Sequence, residues 1–454
     1  MRPLPYVPYG KALEGVPHVF VDSLRTPFTR LELSHWPGNG TPSELKADVS
    51  TQSVLGLLAL GQARREELLD GATAVSCDHY DVDGLLSVWS LTAPDQALRH
   101  RDLVARTAVC GDFDMFTGAE PVRSCLALLA AEKAIQRSIL DSAGSLTVED
   151  HTGRLFAGVL EAAPDCLSAP QKWEDHWAQE WEQIDRSRRI LRARPTAITE
   201  YPHLDLAVVE DEEEPLHEWA VHESTRALSV LLLRPDGRHS MRFRYESFVD
   251  LQSRTVPARV RGDVLAARLN EAENQAGCTW FCEPPSSATP LLQLYSESSV
   301  PAPSAIDADE LRRLVVQYFV DADAEPALRW SPPCPLVFRD AGRPAFQGDR
   351  MKRVARIGAQ LTDGRVVEVD TDDGRMLARL VDGSPVVHAF LCPHSGAPLS
   401  EAYTVAGTLV CSWHRSVFRG ADGAHLYGPA GCGIAIRAAS LDGDDLLIDD
   451  STAG

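Results

Sequence analysis

The sequence predicts an α/β module built on a parallel sheet, a smaller α+β domain associated with it, and an antiparallel β domain at the carboxyl end. Three observations lead there. Short apolar runs at 18–23 and 72–76 alternate with helical stretches, and the second stops in an acidic loop, the rhythm of a parallel sheet. Residues 227–245 place two β-rich runs around Pro235-Asp236-Gly237-Arg238, a hairpin that leads on to a helix after Arg261. Beyond residue 353 the apolar runs are separated by Asp-Gly turns at 363, 373, 382 and 442, which marks a small antiparallel fold. The boundaries drawn from these signals are 1–210, 211–295, a linker and connecting segment at 296–352, and 353–450.

A chain of 454 residues can bury several cores. Its 44 basic and 65 acidic residues give a net charge of -21, which repels a phosphate backbone and argues against general nucleic-acid binding. The first ten residues, MRPLPYVPYG, hold no apolar segment of signal-peptide length, and no stretch reaches the 18 apolar residues that suggest a membrane span. A cytoplasmic protein with no membrane segment is expected. The ten cysteines are scattered, which is not a disulfide framework; Cys278 and Cys282 read as structural thiols.

Taken in order, His18–Ser23 reads as a strand and the residues to about 50 as a polar loop. Ser53–Leu69 carries Val54, Leu55, Leu57, Leu58 and Leu60 on one helical face. The strand at 72–76 runs into Cys77-Asp78-His79-Tyr80-Asp81-Val82-Asp83-Gly84, and a helix follows over 85–91. The apolar run at 105–110 reads as a further strand, ending in Gly111-Asp112-Phe113-Asp114. His79, Asp81 and Asp83 stand within five residues, where anions repel unless a cation joins them. Asp112 and Asp114 approach from the neighbouring element. Carboxylate and imidazole together suit manganese or magnesium holding a phosphate ester, as one ion or a pair. The plainer reading is a solvated acidic loop with Asp83-Gly84 as a turn.

The run H-x-D-x-D-G-L-x-S, His79–Ser87, resembles the first motif of the DHH phosphoesterase superfamily, and Asp112 resembles its second. That resemblance covers residues 70 to 300 and implies an α/β metal-dependent phosphoesterase with an associated domain. No Asp-His-His triplet occurs, and His203 is the substitute the sequence offers.

Residues 122–193 read as helical, with Trp173, Trp177 and Trp181 recurring every fourth residue as a packing stripe. After a strand at 204–209, Glu214, His217 and His222 fit E-x-x-H-x-x-x-x-H, which resembles the mononuclear iron motif of Rieske oxygenases. Arg254, Arg259 and Arg261 precede a helix and could hold an anionic group of a substrate, or simply offset nearby acids. A short helix is expected over 311–320.

The last domain contains Cys392-Pro393-His394, then sixteen residues, then Cys411-Ser412-Trp413-His414. Two thiolates and two imidazoles suit tetrahedral zinc as well as an iron–sulfur centre. The single-residue gap in the first loop is short for a zinc finger, and the second loop opens no helix. C-P-H-x-G-x-P-L, C-x-W-H and the Gly428-Pro429-Ala430 loop resemble the Rieske family. The resemblance implies a 2Fe-2S cluster in which Cys392 and Cys411 hold the inner iron and His394 and His414 the outer one. Ala397 and Ser412 stand where respiratory members carry a disulfide. Ser416 matches a serine that bonds a bridging sulfur, while Phe418 replaces a tyrosine, so a potential below that of respiratory members is expected. Arg415 departs from the family's glycine.

The leading expectation is a two-module redox protein: a DHH-like module followed by a ferredoxin-type Rieske domain that transfers single electrons. No glycine-rich dinucleotide fingerprint follows a strand, so the donor is expected to be a separate reductase or redox partner protein. The rivals are a manganese phosphoesterase acting on a small-molecule substrate, with the cluster as sensor or appendage, and an atypical oxygenase using His217 and His222.

Overall fold

The computed structural model describes residues 1–142, 148–211, 215–283, 287–296, 301–330, 351–362, 365–371, 374–390, 392, 399–405, 407–411, 416–427 and 433–449. The chain divides into two units. Met1–Gly144, Glu149–Val260 and Asp307–Leu336 form the first, and Ser145–Val148, Arg261–Ile306 and Val337–Gly454 the second.

In the first unit, among the described residues, β1 (His18–Val21), β2 (Thr29–Leu33) and β3 (Ala74–Ser76) form a parallel sheet in the order β2-β1-β3. Val19, Phe20 and Val21 are fully buried, each worth roughly 1.5–3 kcal/mol relative to exposure. β2 lies inside the stretch expected to be loop. Thr29 and Arg30 open it and Glu32 interrupts its apolar pattern, yet Glu32 is buried and accepts the Gly40 amide at 2.8 Å. A satisfied carboxylate therefore sits where an apolar residue is usual.

The helix expected over 53–69 is two helices, α1 (Ser50–Ala59) and α2 (Gln62–Leu69), because the chain turns extended at Leu60-Gly61. α3 (Val82–Thr92) starts directly after Asp81, and the short α4 (Pro94–Arg99) leads into α5 (Arg101–Asp112). α5 corrects the strand expected at 105–110. Val104, Thr107 and Ala108 are buried at helical spacing while Arg101, Asp102 and Arg106 face outward, a period visible only over the whole twelve residues. α1, α3 and α5 pack on one another. At Gly111 a Cβ would come within 2.5 Å of the Val82 Cβ, so glycine lets the end of α5 approach the start of α3. Asp112 is thereby delivered to the loop after β3.

α6 (Ala119–Ser142), α7 (Val148–Ser168) and α8 (Glu174–Ala193) fill the region expected to be helical. Trp177 is buried, and Trp181 packs on Phe116 with Arg123 over its ring, as a packing stripe requires. β4 (Ile198–Tyr201) runs antiparallel to β5 (Leu206–Glu210). After α9 (Glu218–Ser224), β6 (Ser229–Leu233) lies parallel to β5 and antiparallel to β7 (Ser240–Phe243). The β6–β7 hairpin turns at Gly237, whose φ of 76° requires glycine. β8 (Arg259–Val260) closes this part of the unit.

In the second unit, α10 (Gly262–Ala272) packs on the antiparallel pair β9 (Cys278–Cys282) and β10 (Leu291–Ser296). α11 (Ala308–Ala324) belongs to the first unit and exceeds the helix expected at 311–320. Asp307 caps it, its Oδ1 accepting the amides of Asp309 and Glu310. β11 (Arg329–Trp330) pairs with β8.

The carboxyl-terminal part of the second unit is antiparallel, as expected. Among the described residues β12 (Met351–Arg356), β13 (Val367–Thr371), β14 (Gly374–Val381), β15 (Ser384–His388), β20 (Ile436–Asp442) and β21 (Asp445–Asp449) are ordered β12-β21-β20-β15-β14-β13, with α12 (Gly358–Thr362) between the first two in sequence. β16 (Tyr403–Val405), β17 (Thr408–Val410), β18 (Val417–Arg419) and β19 (His425–Tyr427) form a second sheet in chain order. The Asp382-Gly383 turn has φ of 48° and 77°, the left-handed pair a tight hairpin demands, and Gly443 turns β20 into β21 with φ 60°. The turns at 363 and 373 lie outside the described residues.

Candidate metal centre and cluster domain

All three strands of the parallel sheet send a polar group past their carboxyl ends. β1 ends one residue before Asp22, whose side chain is buried; β2 leads to His35, also buried; β3 leads to His79, Asp81 and Asp83. Of these, Asp22 and His35 are not part of any motif in the sequence.

Asp22 stands between the others. Its Oδ1 lies 3.4 Å from His35 Nε2, and its Oδ2 lies 3.4 Å from His79 Nε2. On the His79 side, Asp81 Oδ2 is 3.1 Å from the same nitrogen. On the His35 side, Asp112 Oδ2 is 3.7 Å from Nε2. Two three-residue groups, Asp22-His79-Asp81 and Asp22-His35-Asp83, each bring one ligand atom per residue within 4.8 Å of the others, and Asp22 belongs to both. Ligand atoms around a divalent cation at about 2.1–2.2 Å lie about 3 Å apart, so these spacings fit first-row ligation after small adjustment.

Both imidazoles are oriented as ligands. His79 Nδ1–H donates to Asp78 Oδ1 at 2.8 Å, and that oxygen also accepts the Ser23 hydroxyl at 2.6 Å. His35 Nδ1–H donates to the Asp48 carbonyl at 2.6 Å. In each ring one nitrogen is occupied by an outer acceptor and Nε2 is turned toward Asp22, the arrangement that fixes a metal-binding tautomer. Trp36 packs on the His79 ring at 5.3 Å, and Tyr245 meets the His35 ring edge-on at 5.8 Å.

The carboxylates differ in how they are held. Asp81 caps α3, its Oδ1 accepting the Gly84 amide at 2.7 Å, which leaves Oδ2 for the cluster. Asp83 accepts the Ser50 and Thr51 amides at 2.7 and 2.8 Å, so it also caps α1, whose own preceding residue, Val49, has no capping side chain. Asp22 Oδ1 accepts the Ser50 hydroxyl at 2.8 Å. By contrast Asp22 Oδ2, His35 Nε2 and Asp112 Oδ2 are buried without a hydrogen-bond partner. Such atoms are costly unless something else satisfies them, and a divalent cation would do so.

Electrostatics agree. Burial works against the His35 imidazolium, yet Asp112 and Asp22 carry it up to about 10. Burial raises Asp83 to about 7, with the Asp22 charge adding to it, and raises Asp112 strongly against the opposing pull of His35. The carboxylates crowd one another, and among the described residues the imidazoles of His35 and His79 oppose that charge. A pair of divalent cations fits this donor set.

The other candidate residues are placed elsewhere. Asp114, with φ 47°, accepts the Trp219 indole N–H at 3.0 Å. His203 is exposed, so His35 and not His203 supplies the second imidazole. His217 and His222 do not share a ligand set: His217 Nδ1 accepts the Trp219 amide at 3.2 Å, whereas His222 Nδ1–H donates to the Phe113 carbonyl at 3.2 Å. Glu214 lies outside the described residues. Arg254 pairs with Asp205 at 3.0 Å, Arg259 is buried and donates to the Ser247 hydroxyl at 2.8 Å, and Arg261 pairs with Asp263 at 2.5 Å. Each of these arginines therefore has a partner of its own.

In the carboxyl-terminal domain Cys392 and Cys411 are buried and part of one core cluster with Leu399, Leu409 and Phe418. The Cys411 amide donates to the Ser416 carbonyl at 2.9 Å, and Ser416 is buried. Phe418 is fully buried and packs 5.9 Å from His425. Two thiols in one apolar core suit the inner iron of a 2Fe-2S centre. His394, His414 and Pro429 lie outside the described residues. Among those described, no helix is long and apolar enough to cross a membrane.

A family model described as a family of unknown function (DUF6687) matches residues 2–330, and a Rieske [2Fe-2S] domain model matches residues 351–435. The second implies a Rieske-type 2Fe-2S cluster. No curated protein matches. Among solved structures, the ferredoxin of carbazole 1,9a-dioxygenase from Nocardioides aromaticivorans IC177 is 22% identical with a TM-score of 0.21, over 23% of this chain and 100% of that one. A Sphingomonas yanoikuyae B1 ferredoxin is 25% identical with a TM-score of 0.20, over 22% and 100%. The terminal oxygenase of carbazole 1,9a-dioxygenase from Novosphingobium sp. KA1 is 18% identical with a TM-score of 0.21, over 23% and 31%.

Proposed function

The chain belongs to the family of unknown function DUF6687, which accounts for residues 2–330, and on that footing we propose that the family module is a divalent-metal-dependent phosphoester hydrolase joined to a Rieske domain that carries single electrons. The observation that carries the hydrolytic reading is the position of Asp22, with one carboxylate oxygen toward His35 and the other toward His79. A carboxylate so placed would serve as a ligand on both sides of a two-metal phosphoryl-transfer site. The similarity of His79–Ser87 to the first DHH motif supports the same substrate class, although the assignment rests on geometry first.

His79 and Asp81 would hold one cation, His35, Asp83 and Asp112 the other, and Asp22 both. Imidazole with carboxylate favours manganese over magnesium. When bound, such ions make water nucleophilic near neutral pH and offset charge on phosphoryl oxygens. The protein's own share is to orient Nε2 of each histidine through Asp78 and Asp48, and to wall the centre with Trp36 and Tyr245. In the reaction, water adds to phosphorus, the ester P–O bond breaks, and the alcohol leaves with a proton.

The Rieske domain, by this reading, exchanges one electron with a separate reductase or redox partner. Metal analysis of the purified full chain tests the pairing: two irons with up to two manganese ions per chain, and manganese-dependent hydrolysis of a panel of phosphodiesters, are expected. A chain that retains no manganese and cleaves no phosphoester would overturn the hydrolytic part.

A further inference from the structure

Arg379, on β14 of the Rieske domain, is a buried cation that makes no ion pair among the described residues. Its Nε–H donates to His388 Nε2 at 3.0 Å, and its two terminal nitrogens donate to the carbonyls of Leu399 and Ala402. His388 is fully buried at the end of β15, and its Nδ1–H is directed to the Ala389 carbonyl at 2.8 Å, so the imidazole meets the guanidinium as a neutral acceptor.

These partners flank the first cluster loop. His388 precedes Cys392 by four residues and Leu399 follows it by seven. The base of the loop is closed by the Leu399 amide, which donates to the Phe390 carbonyl at 2.8 Å. Leu399 and Ala402 lie in the same core cluster as Cys392 and Cys411. Desolvating a guanidinium is costly, and carbonyl dipoles with a neutral imidazole offset only part of that. A nearby negative group would offset more.

We propose that Arg379 sets the reduction potential of the Rieske cluster, acting as a fixed positive charge bonded to Leu399 and Ala402, which share a core with Cys392 and Cys411. Reduction adds one electron to the cluster and one unit of negative charge. A buried cation favours that reduced form and raises the potential, while its bonds hold the Leu399 and Ala402 backbone beside Cys392. Arg379 is thus a positioning residue for the cluster.

The test uses the full chain with its cluster, titrated with dithionite and followed by the paramagnetic resonance of the reduced form. Arg379→Gln removes the charge and keeps an amide donor; Arg379→Lys keeps the charge and loses the fork. At the wild-type midpoint, Arg379→Gln is expected to show about a tenfold lower ratio of reduced to oxidised cluster, and Arg379→Lys a change within about twofold. Because the charge is buried, the shift should persist in molar salt. An unchanged midpoint in Arg379→Gln, an equal fall in Arg379→Lys, or a shift abolished by salt would each overturn the proposal. Should Arg379→Gln fail to take up iron, Arg379→Lys decides alone: a midpoint near wild type supports the charge effect and a lowered one refutes it.

Discussion

The two sites are electrically opposite. Past the ends of β1, β2 and β3, four carboxylates and two imidazoles turn toward one another, and three of the buried atoms lack any hydrogen-bond partner. In the Rieske domain the buried Arg379 guanidinium has, among the described residues, two carbonyls and a neutral imidazole as hydrogen-bond partners. Excess buried negative charge suits cations, and excess buried positive charge suits a cluster that gains negative charge on reduction. On the proposed function, the sign of the imbalance would decide the class of group each site accepts, because an uncompensated buried charge is costly.

The sharpest way to break this contrast is to remove one ligand from each site and ask whether the other responds. Asp22→Asn should weaken manganese binding at least about 100-fold, more than is usual for loss of an outer partner, since one change disturbs both cation positions. The iron content should stay as in wild type. Cys411→Ala should abolish the visible absorption of the cluster and leave manganese binding intact. Metal analysis of both variants reads the outcome, and loss of both metals in either variant would refute two independent sites.

A smaller effect is expected at Gly84, which is buried in the first turn of α3. A Cβ there would lie 3.1 Å from Cys77 Sγ, 3.2 Å from Asp81 Oδ1 and 3.5 Å from Asp22 Oδ2. Alanine is the better helix former, so folding should survive. The methyl group would nonetheless press the two carboxylates apart, and about a tenfold loss of manganese affinity in a calorimetric titration is expected. Affinity equal to wild type would show that the ligands do not need that space.

How much of this was legible in the sequence follows from how local each signal is. The candidate cluster ligands announce themselves because Cys392 and His394, and Cys411 and His414, stand close together in the sequence. His79, Asp81 and Asp83 are legible for the same reason. Asp22 and His35 are single residues on separate segments, and only the parallel pairing of β1 with β2 and β3 brings them together. One signal did exist: Asp22 ends an apolar strand just as the β3 loop does, and the same rule about carboxyl ends of parallel strands applies to it. Glu32 hid β2, and a six-residue window at 105–110 could not distinguish a strand from the buried face of α5.

Acid should separate the two regions further. Burial, aided by the Arg379 guanidinium, lowers His388 to about 3, whereas in the unfolded chain it titrates near its ordinary value. The unfolded state therefore binds a proton first. The contribution of His388 is fully present above about pH 6.5 and is lost as pH falls toward its folded value, with a slope of at most about 1.4 kcal/mol per unit. Denaturant unfolding of the Rieske domain across that window measures the slope, and His388→Gln should flatten it. An unchanged slope in the variant would place the acid sensitivity elsewhere.

The smallest effect is expected at Arg261, one of three arginines that the sequence offered as an anion site. It forms a 2.5 Å pair with Asp263, yet the two side chains are 43% and 40% exposed. Water competes for both groups, and ordering two exposed side chains offsets much of the attraction, so Arg261→Ala should change stability by less than about 0.5 kcal/mol and leave phosphoester hydrolysis untouched. Arg379 carries the same charge on the same kind of side chain, but it is buried, and its removal should be felt in the cluster potential. If Arg261→Ala altered hydrolysis while Arg379→Gln left the potential unchanged, burial would not be what separates a functional charge from a solvated one in this protein.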